Sequence, residues 1–337
     1  MPLLTKEQLL ERLLEAIRLS GWAPIVLAQE HPFRVSAVRR EETASLLVYI
    51  WNVTPGGPPQ VRPLGEMRIQ MTGVSPPLLT DPAFTTLLLG WHQDTGAFAG
   101  YDVNRHKNFS QLSPSIQVRE DTLRQARLRG LAPQRKSNDE TVVGIAPDEL
   151  MNYALRQPDL HLFRGDRDVA VLDTASKGQD VPDEDLSQLP RTRRETVRVV
   201  TEWVRQRRFR TDVLAAYNQQ CAMCHLQLKL VVAAHIIPVG CEGSNDLTPN
   251  GLALCPLHHD AYDAGLLGVA PNYHIVANTP KLADLVAGGL GMGEHMLSSL
   301  HCTTIVLPQR EPDRPRPEYL REGLRLRAWP PGLWTAP

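Results

Sequence analysis

Four residues in the second half of the chain have the types and spacing of a tetrahedral metal site. Cys221 and Cys224 form a C-x2-C pair, and Cys255 and His258 form a C-x2-H pair further along. Two such pairs, each on a turn, present four soft or borderline ligands to one Zn²⁺. A single C-x2-C is often a coincidence or a redox pair, but the second pair at this distance favours structural zinc.

A second set of polar residues lies between and after these pairs. His235 follows an apolar run, Asn250 stands in a polar turn, and His259 and Asp263 are four residues apart. On a helix, His259 and Asp263 would project from one face and could share a cation. Because a histidine that titrates near neutrality suits a general base, the set predicts hydrolysis assisted by a divalent ion.

Two assignments stay open at this stage. Only one of two adjacent side chains can turn toward the zinc, so His258 and His259 could exchange roles. Asp263 could instead cap a helix or pair locally. His225 and Cys241 are interpreted as surface loop residues and are left out of both sites.

The order and spacing of these residues resemble the HNH endonucleases, also called His-Me finger or ββα-metal nucleases. The resemblance runs from about Arg208 to Leu267 and includes AHIIP and NGLALCPLHHDAYDAGL. The preceding RRFRTDVLAAYNQQCAMC is similar to the approach to this domain in bacterial restriction-type enzymes. The resemblance covers the catalytic segment and leaves the first half of the chain unassigned.

The resemblance implies a role for each residue of the segment. His235 would activate water, Asn250 would hold the loop or fix the ring of that histidine, and His259 with Asp263 would bind Mg²⁺ or Mn²⁺. A structural Zn²⁺ would be held by the remaining four, which are Cys221, Cys224, Cys255 and His258. In many members an Asp or His metal ligand precedes the base, whereas this chain has Ala234 there.

The function that the resemblance implies is a metal-dependent DNA endonuclease of restriction or defence type. Its partner would be double-stranded DNA, unmodified or base-modified, and a homodimer is expected because double-strand cleavage needs two active sites. A non-catalytic, zinc-scaffolded DNA-binding or sensor module is the alternative, and Ala234 favours it slightly. Nicking and RNA-directed cleavage also stay open.

Length, charge and cysteine usage bound these readings. The chain has 337 residues, enough for two domains, and its 36 basic and 37 acidic residues give no overall indication of a nucleic-acid partner. Four of its five cysteines lie between 221 and 255, which argues against a disulfide framework and for a cytoplasmic protein. No apolar run is long enough to span a membrane, and the start is charged, so no membrane association is expected.

The N-terminal part is predicted to be an α+β domain, residues 1–163, with a curved antiparallel sheet. Thr5 and Gln8 form a capping box before an apolar stripe that Gly21 can end. Short alternating or apolar runs predict strands at 24–28, 33–38, 45–53, 67–72, 85–91, 97–101 and 140–145. Helices are predicted near 120–129 and 147–157.

A DNA-reading role for this domain is a hypothesis. The loop at 101–115 carries Arg105 and Lys107 among hydroxyl and amide residues, a mixture suited to phosphates and base edges. Four nearby aromatic residues could stack on an extruded base, or could equally be ordinary core: Trp51, Trp91, Tyr101 and Phe109. In enzymes of the resembling type, such an extra domain commonly reads the target sequence or a modified base.

The two domains are predicted to be joined by an acidic linker at 164–190. The nuclease domain with its C-terminal extension would then occupy 191–337, beginning with an arginine-rich helix. Arg207, Arg208 and Arg210 of that helix could grip DNA phosphates, or the helix arginines could pair with the acidic linker. The tail near 311–329 is expected to pack against the core, with no catalytic role.

Overall fold

The computed structural model describes residues 2–57, 63–110 and 113–333. The chain divides into two compact units, Met1–Val204 and Arg205–Pro337. Residues 111–112 of the predicted basic loop at 101–115 lie outside the described residues. The fold class is confirmed: an N-terminal unit with a sheet precedes a ββα unit with a cysteine-histidine cluster that could bind zinc.

Helices occur in both units. The α-helices are α1 (Lys6–Leu19), α2 (Val103–His106), α3 (Glu120–Arg129), α4 (Leu150–Leu160), α5 (Gly165–Ser176), α6 (Asp183–Ser187), α7 (Arg191–Ala216), α8 (Pro256–Asp263), α9 (Thr279–Ala287), α10 (Glu294–Ser299) and α11 (Pro317–Leu326). Single 3-10 turns occur at Pro147–Glu149, Thr248–Asn250, Glu311–Asp313 and Pro331–Leu333. Across the described ranges, no helix is long and apolar enough to cross a membrane.

In the part of the chain that the structure describes, strands form one large sheet and three small ones. The strands are β1 (Ala23–Ala28), β2 (Phe33–Arg39), β3 (Glu42–Asn52), β4 (Thr54–Pro55), β5 (Glu66–Gln70), β6 (Thr85–His92), β7 (Ala97–Tyr101), β8 (Ser115–Arg119), β9 (Leu131–Arg135), β10 (Thr141–Ile145), β11 (Val232–His235), β12 (Gly251–Leu254), β13 (Leu267–Val269) and β14 (Ile275–Ala277). Within the described residues, the large sheet has the order β1-β2-β3-β6-β7-β10-β9, and β4-β5-β8 form a second sheet of the first unit. Among the described strand pairs, β3 and β6 are parallel and the others are antiparallel.

The first helix has the capping box and the apolar stripe that its sequence predicts. The Thr5 hydroxyl accepts the Gln8 N–H at its N-terminus, and the Gln8 side chain accepts the Thr5 N–H in return. Its apolar stripe, which includes Leu9, Leu13 and Ile17, is buried in the core of the first unit. The capping box therefore fixes the start of α1, and burial of the stripe stabilises it.

The predicted acidic linker is wrong as a structural description. Residues 165–176 form helix α5, and its Val169, Leu172 and Ala175 lie in the core of the first unit. The acidic side chains lie on the outer face of this helix: Arg129 binds Asp173, and Arg193 of α7 binds Asp168. The composition of this segment is acid-rich and its apolar positions are sparse, but those positions recur at helical spacing, which favours a packed helix over a linker.

The boundary between the units falls within helix α7. Its first half supplies Val197, Val200 and Val204 to the core of the first unit, and its second half supplies Phe209 and Val213 to the core of the second. The first compact unit therefore reaches Val204 rather than ending at 163.

The second unit is built around a hairpin followed by a helix. Strands β11 and β12 pair antiparallel, with His235 opposite Gly251, and α8 follows β12 directly. A side chain at Gly251 would collide with Val213 of α7, since an added Cβ would lie 2.3 Å from its Cγ2 atom. Glycine at this position lets α7 pack closely on the hairpin and carry Phe209 to the strand end that bears His235.

Candidate active site and metal cluster

The four predicted zinc ligands come together in one cluster. The ligand atoms of Cys221, Cys224, Cys255 and His258 all lie within 4.8 Å of one another. Nδ1 of His258 is 3.2 Å from the Cys255 sulfur and 3.6 Å from the Cys221 sulfur, and the Cys224 and Cys255 sulfurs are 3.9 Å apart. Zn–S bonds of about 2.3 Å in a tetrahedron separate two sulfurs by roughly 3.8 Å. The cluster therefore has the spacing of a tetrahedral zinc site.

The chemistry of the donors also fits a cation. Burial raises the pKa of the Cys224 and Cys255 thiols, and the nearby charge of Cys221 opposes their ionisation further. Burial opposes ionisation of Cys221 as well, but hydrogen bonds from His258 and from backbone amides lower the pKa of its thiol to about 6. Three thiolates this close need a compensating positive charge, which a Zn²⁺ ion would supply.

Local backbone geometry presents each ligand pair. The first pair lies on a tight turn in which the Cys221 amide donates to Leu226 and the Cys221 carbonyl accepts from His225. The second pair opens α8, with Cys255 at its N-cap and His258 on its buried face. His258, rather than His259, lies with the three cysteines, and His259 lies beside Asp263. His225 is bound to Gln220 rather than to the cluster.

His235 lies at the end of β11, where two neighbours hold its ring. The ring stacks on Phe209 of α7, with the ring centroids 3.7 Å apart and the planes 12° from parallel. Its Nε2 atom is 3.0 Å from an Asp246 carboxylate oxygen. When Nε2 donates its proton to this carboxylate, Nδ1 keeps the lone pair that a base needs. Within the described part of the chain, no hydrogen bond occupies Nδ1.

Asn250 holds the loop and does not touch the ring of His235. Its Oδ1 accepts from the Ile237 N–H at 2.9 Å, and its Nδ2 donates to the carbonyls of Asn245 and Ile237. The residue is fully buried. The sequence left two roles open for Asn250, holding the loop or fixing the ring of His235. The hydrogen bonds fit the first role, because the amide joins the chain just after His235 to the loop that carries Asp246.

His259 and Asp263 face each other on α8. Nε2 of His259 is 3.6 Å from Oδ2 of Asp263, and both side chains are reached by solvent. The other carboxylate oxygen of Asp263 is 3.3 Å from the guanidinium of Arg327. Imidazole nitrogen and carboxylate oxygen at this separation suit a divalent cation. Ala234 is buried and has no donor atom, so the position before His235 contributes no ligand.

Three residues that hold this site were missed by sequence reasoning. Asp246 lies in the SNDLTPN loop, where a carboxylate before Asn250 was a readable signal, but its pairing with His235 depends on the loop conformation. Phe209 lies within the resembling segment, but its contact with His235 depends on how α7 packs on the hairpin, and Arg327 lies far beyond the motif in sequence. Each touches His235 or the residue beside it.

The predicted DNA-contact residues differ in their exposure to solvent. Arg208 is exposed and lies 4.0 Å from Asp212, whereas Arg207 and Arg210 are half-buried on the same helix. In the first unit, Arg105 and Lys107 are half-buried, and Arg105 donates to the Asn138 carbonyl.

The aromatic residues proposed to stack on a base are mostly core. Trp51, Trp91 and Tyr101 are buried, and Phe109 is partly buried against the cluster that contains Trp51 and Tyr101. The ordinary-core alternative holds for the three buried rings, because their faces are covered by protein.

Comparison with known proteins assigns parts of the chain. Residues 221–270 match the family model described as HNH endonuclease, and residues 44–154 match the model described as Methylase-associated X1. No curated protein matches the chain. One similar solved structure is titled "Modification dependent TagI restriction endonuclease"; it is 12% identical, covers 84% of this chain and 81% of that chain, and has a TM-score of 0.29. The second unit thus carries an HNH endonuclease domain.

Proposed function

We propose that this chain, which carries an HNH endonuclease domain, is a divalent-metal-dependent endonuclease of restriction type that cuts double-stranded DNA. The observation that carries the proposal is the set of contacts around His235. A histidine stacked on Phe209 and bound to the Asp246 carboxylate is held in one orientation and one tautomer, as a general base requires. The match to the Methylase-associated X1 model is consistent with a restriction role.

The residues would divide the work as follows. Nδ1 of His235 takes a proton from a water molecule while the water oxygen bonds to phosphorus, and Asp246 stabilises the resulting imidazolium. The bond between phosphorus and the 3′ oxygen breaks, and that oxygen takes a proton from solvent, leaving a 3′ hydroxyl and a 5′ phosphate. A Mg²⁺ or Mn²⁺ ion bound by His259 and Asp263 would stabilise the charge on the phosphate and leaving oxygens.

The remaining groups position this chemistry. The cysteine-histidine cluster, with Zn²⁺, would tie the turn before β11 to the start of α8 and so keep the base-bearing and ligand-bearing elements together. Exposed Arg208 is available to a DNA phosphate, with Arg207 and Arg210 beside it on the helix. Cleavage of both strands at one site would require a homodimer.

The first unit is proposed to bind the target DNA. Buried aromatic residues no longer support this role, but a polar cavity of about 650 Å³ does, because guanidinium and amide groups suited to phosphates and base edges line it. Three aspartates also line the cavity, and two of them, Asp173 and Asp166, pair with Arg129 and Arg135. Arg119, Gln125, Gln134 and Lys136 are among the lining residues. Arg105 and Lys107, which the sequence predicted as DNA contacts, do not line this cavity and remain candidate contacts.

Binding by the first unit is tested on the full-length protein with gel-shift assays. Arg119→Ala should weaken binding about tenfold at moderate salt, since it removes an exposed cation from the cavity. Arg12→Ala is the matched control, because Arg12 is an exposed arginine that pairs with Glu15 on α1. Equal binding by the two variants, on unmodified and on cytosine- or adenine-modified DNA, would remove the target-reading proposal.

The endonuclease proposal is tested by incubating plasmid DNA with the protein in Mg²⁺, Mn²⁺ or EDTA. Unmodified, cytosine-modified and adenine-modified plasmids should be compared, together with matched RNA. The proposal predicts discrete DNA fragments that disappear with EDTA and in His235→Ala, but persist in His225→Ala. A folded, zinc-loaded wild type that binds DNA and cuts none of these substrates would favour the non-catalytic module, for which buried Ala234 is the supporting feature.

A further inference from the structure

Arg327 lies in the C-terminal tail, yet its guanidinium reaches the candidate active site. It is only 11% exposed and follows α11 directly. The position lies 57 residues beyond the end of the matched HNH segment, from 270 to 327. The tail was expected to serve packing alone, so the contacts of this side chain require a separate explanation.

The guanidinium joins the two elements that carry the proposed chemistry. Nη2 donates to the His235 carbonyl at 3.2 Å and to Oδ1 of Asp263 at 3.3 Å. Nη1 donates to the Ile236 carbonyl at 2.7 Å. One side chain therefore binds both the strand end that bears the base and the helix that bears the proposed metal ligand.

The guanidinium is also held in place from its other side. Its central carbon lies 4.3 Å from the centroid of the Tyr262 ring, a cation–π arrangement. A side chain at Gly323 of α11 would lie 2.8 Å from the Ile236 carbonyl oxygen, so α11 approaches the end of β11 closely. Because α11 packs this closely on β11, the side chain of Arg327 can reach both the His235 carbonyl and the Asp263 carboxylate.

We propose that Arg327 is a positioning residue of the nuclease site, which fixes His235 relative to Asp263 through one planar fork. This inference rests on the proposed function. By occupying Oδ1 of Asp263, the guanidinium leaves Oδ2 directed at His259, as an outer partner orients a ligating carboxylate. Both of its Nη atoms donate to protein acceptors, so it serves the site through its neighbours rather than by binding DNA.

The test compares three variants with the wild-type protein. Arg327→Ala removes the fork, whereas Arg327→Lys keeps the charge and an aliphatic stem, but one ammonium cannot match the planar fork. Arg325→Ala is the matched control, since Arg325 is exposed on α11 and pairs with Glu322. All four proteins are first compared for zinc content and thermal unfolding.

The positioning role predicts a loss in turnover rather than in DNA affinity. At saturating Mn²⁺, kcat should fall about 10- to 100-fold in both Arg327 variants while KM changes little, as for residues that orient metal ligands. Millimolar guanidinium should restore part of the rate of Arg327→Ala and none of that of Arg325→Ala. If Arg327→Ala fails to fold, the kcat and KM of Arg327→Lys test the positioning role.

A readout independent of cleavage follows the histidine ring itself. In zinc-loaded protein labelled with ¹⁵N-histidine and kept free of Mg²⁺ and Mn²⁺, the His235 resonances are identified by their loss in His235→Ala. Arg327→Lys should shift them, whereas Arg325→Ala should not. Unshifted resonances together with wild-type kcat in the lysine variant would overturn the positioning role. If wild-type protein cut no DNA at all, the proposed function would fail instead, and the two failures are distinguishable.

Discussion

Replacing Asn250 with alanine should lower the free energy of unfolding of the second unit. Its side chain makes three hydrogen bonds, one accepted from Ile237 and two donated to backbone carbonyls, and it is fully buried. At about 1 kcal/mol each, these bonds contribute about 3 kcal/mol. Leaving the Ile237 amide without an acceptor adds about 1 kcal/mol. The free energy of unfolding should therefore fall by roughly 4 kcal/mol.

Zinc release during urea unfolding reports on the second unit alone, because the cluster lies there. With a slope of about 2 kcal/mol per M, Asn250→Ala should lower the urea midpoint by about 2 M. Below that midpoint, where zinc stays bound, cleavage should be slower because the loop carrying Asp246 is less ordered.

Asn278→Ala is the matched control for this variant. Asn278 is also buried in the second unit, where it donates to Gly265 and accepts from Lys281. This variant should lose about 2 kcal/mol and keep its cleavage rate. A wild-type urea midpoint for Asn250→Ala, combined with abolished cleavage, would refute the loop-holding role and indicate direct contact with the reacting groups.

Three further predictions follow from the same geometry. Removing the cluster metal with a strong chelator should unfold the second unit and leave the first intact, as limited proteolysis with mass spectrometry will reveal. Asp246→Asn should lower kcat about 10- to 100-fold, because the charge that stabilises the His235 imidazolium is lost. Burial opposes ionisation of Glu140, but the hydrogen bond and charge of His106 and the charge of Lys136 lower its pKa to about 2. Since the ordinary value is 4.5, this carboxylate should stabilise the first unit above pH 4.5 and lose that contribution as the pH falls toward 2.

A chelated protein that resists protease throughout would show that the cluster does not hold the fold. Asp246→Asn should keep the wild-type zinc content, and a wild-type kcat would mean that the carboxylate does not assist the base. Glu140→Gln should flatten the acid dependence of urea unfolding followed by tryptophan fluorescence. An equally steep dependence in that variant would assign the acid sensitivity to other groups.

Local sequence signals predicted the elements of the site well. The C-x2-C and C-x2-H pairs, the apolar run before His235 and the i, i+4 spacing of His259 and Asp263 each depend on a few neighbouring residues. The strand, hairpin and helix they predicted correspond to β11, β12 and α8. The capping box at Thr5 located α1 for the same reason.

Interactions between distant segments could not be predicted in this way. Phe209 reaches His235 because Gly251 lets α7 pack closely, and Arg327 reaches it because Gly323 does the same for α11. Neither approach is encoded by a local pattern. Helix α5 was missed because its acidic face dominated its composition, and the role of Asp246 depends on a loop that the buried amide of Asn250 ties down.

The central claim is that His235 is the base that activates water for DNA cleavage. The most direct test is the single-turnover rate of His235→Ala, with and without added imidazole, on the DNA that the wild type cuts. The account predicts a loss of about 10²- to 10⁴-fold, partly restored by imidazole with a pH dependence that follows its neutral form. Cleavage by His235→Ala at the wild-type rate would contradict the account.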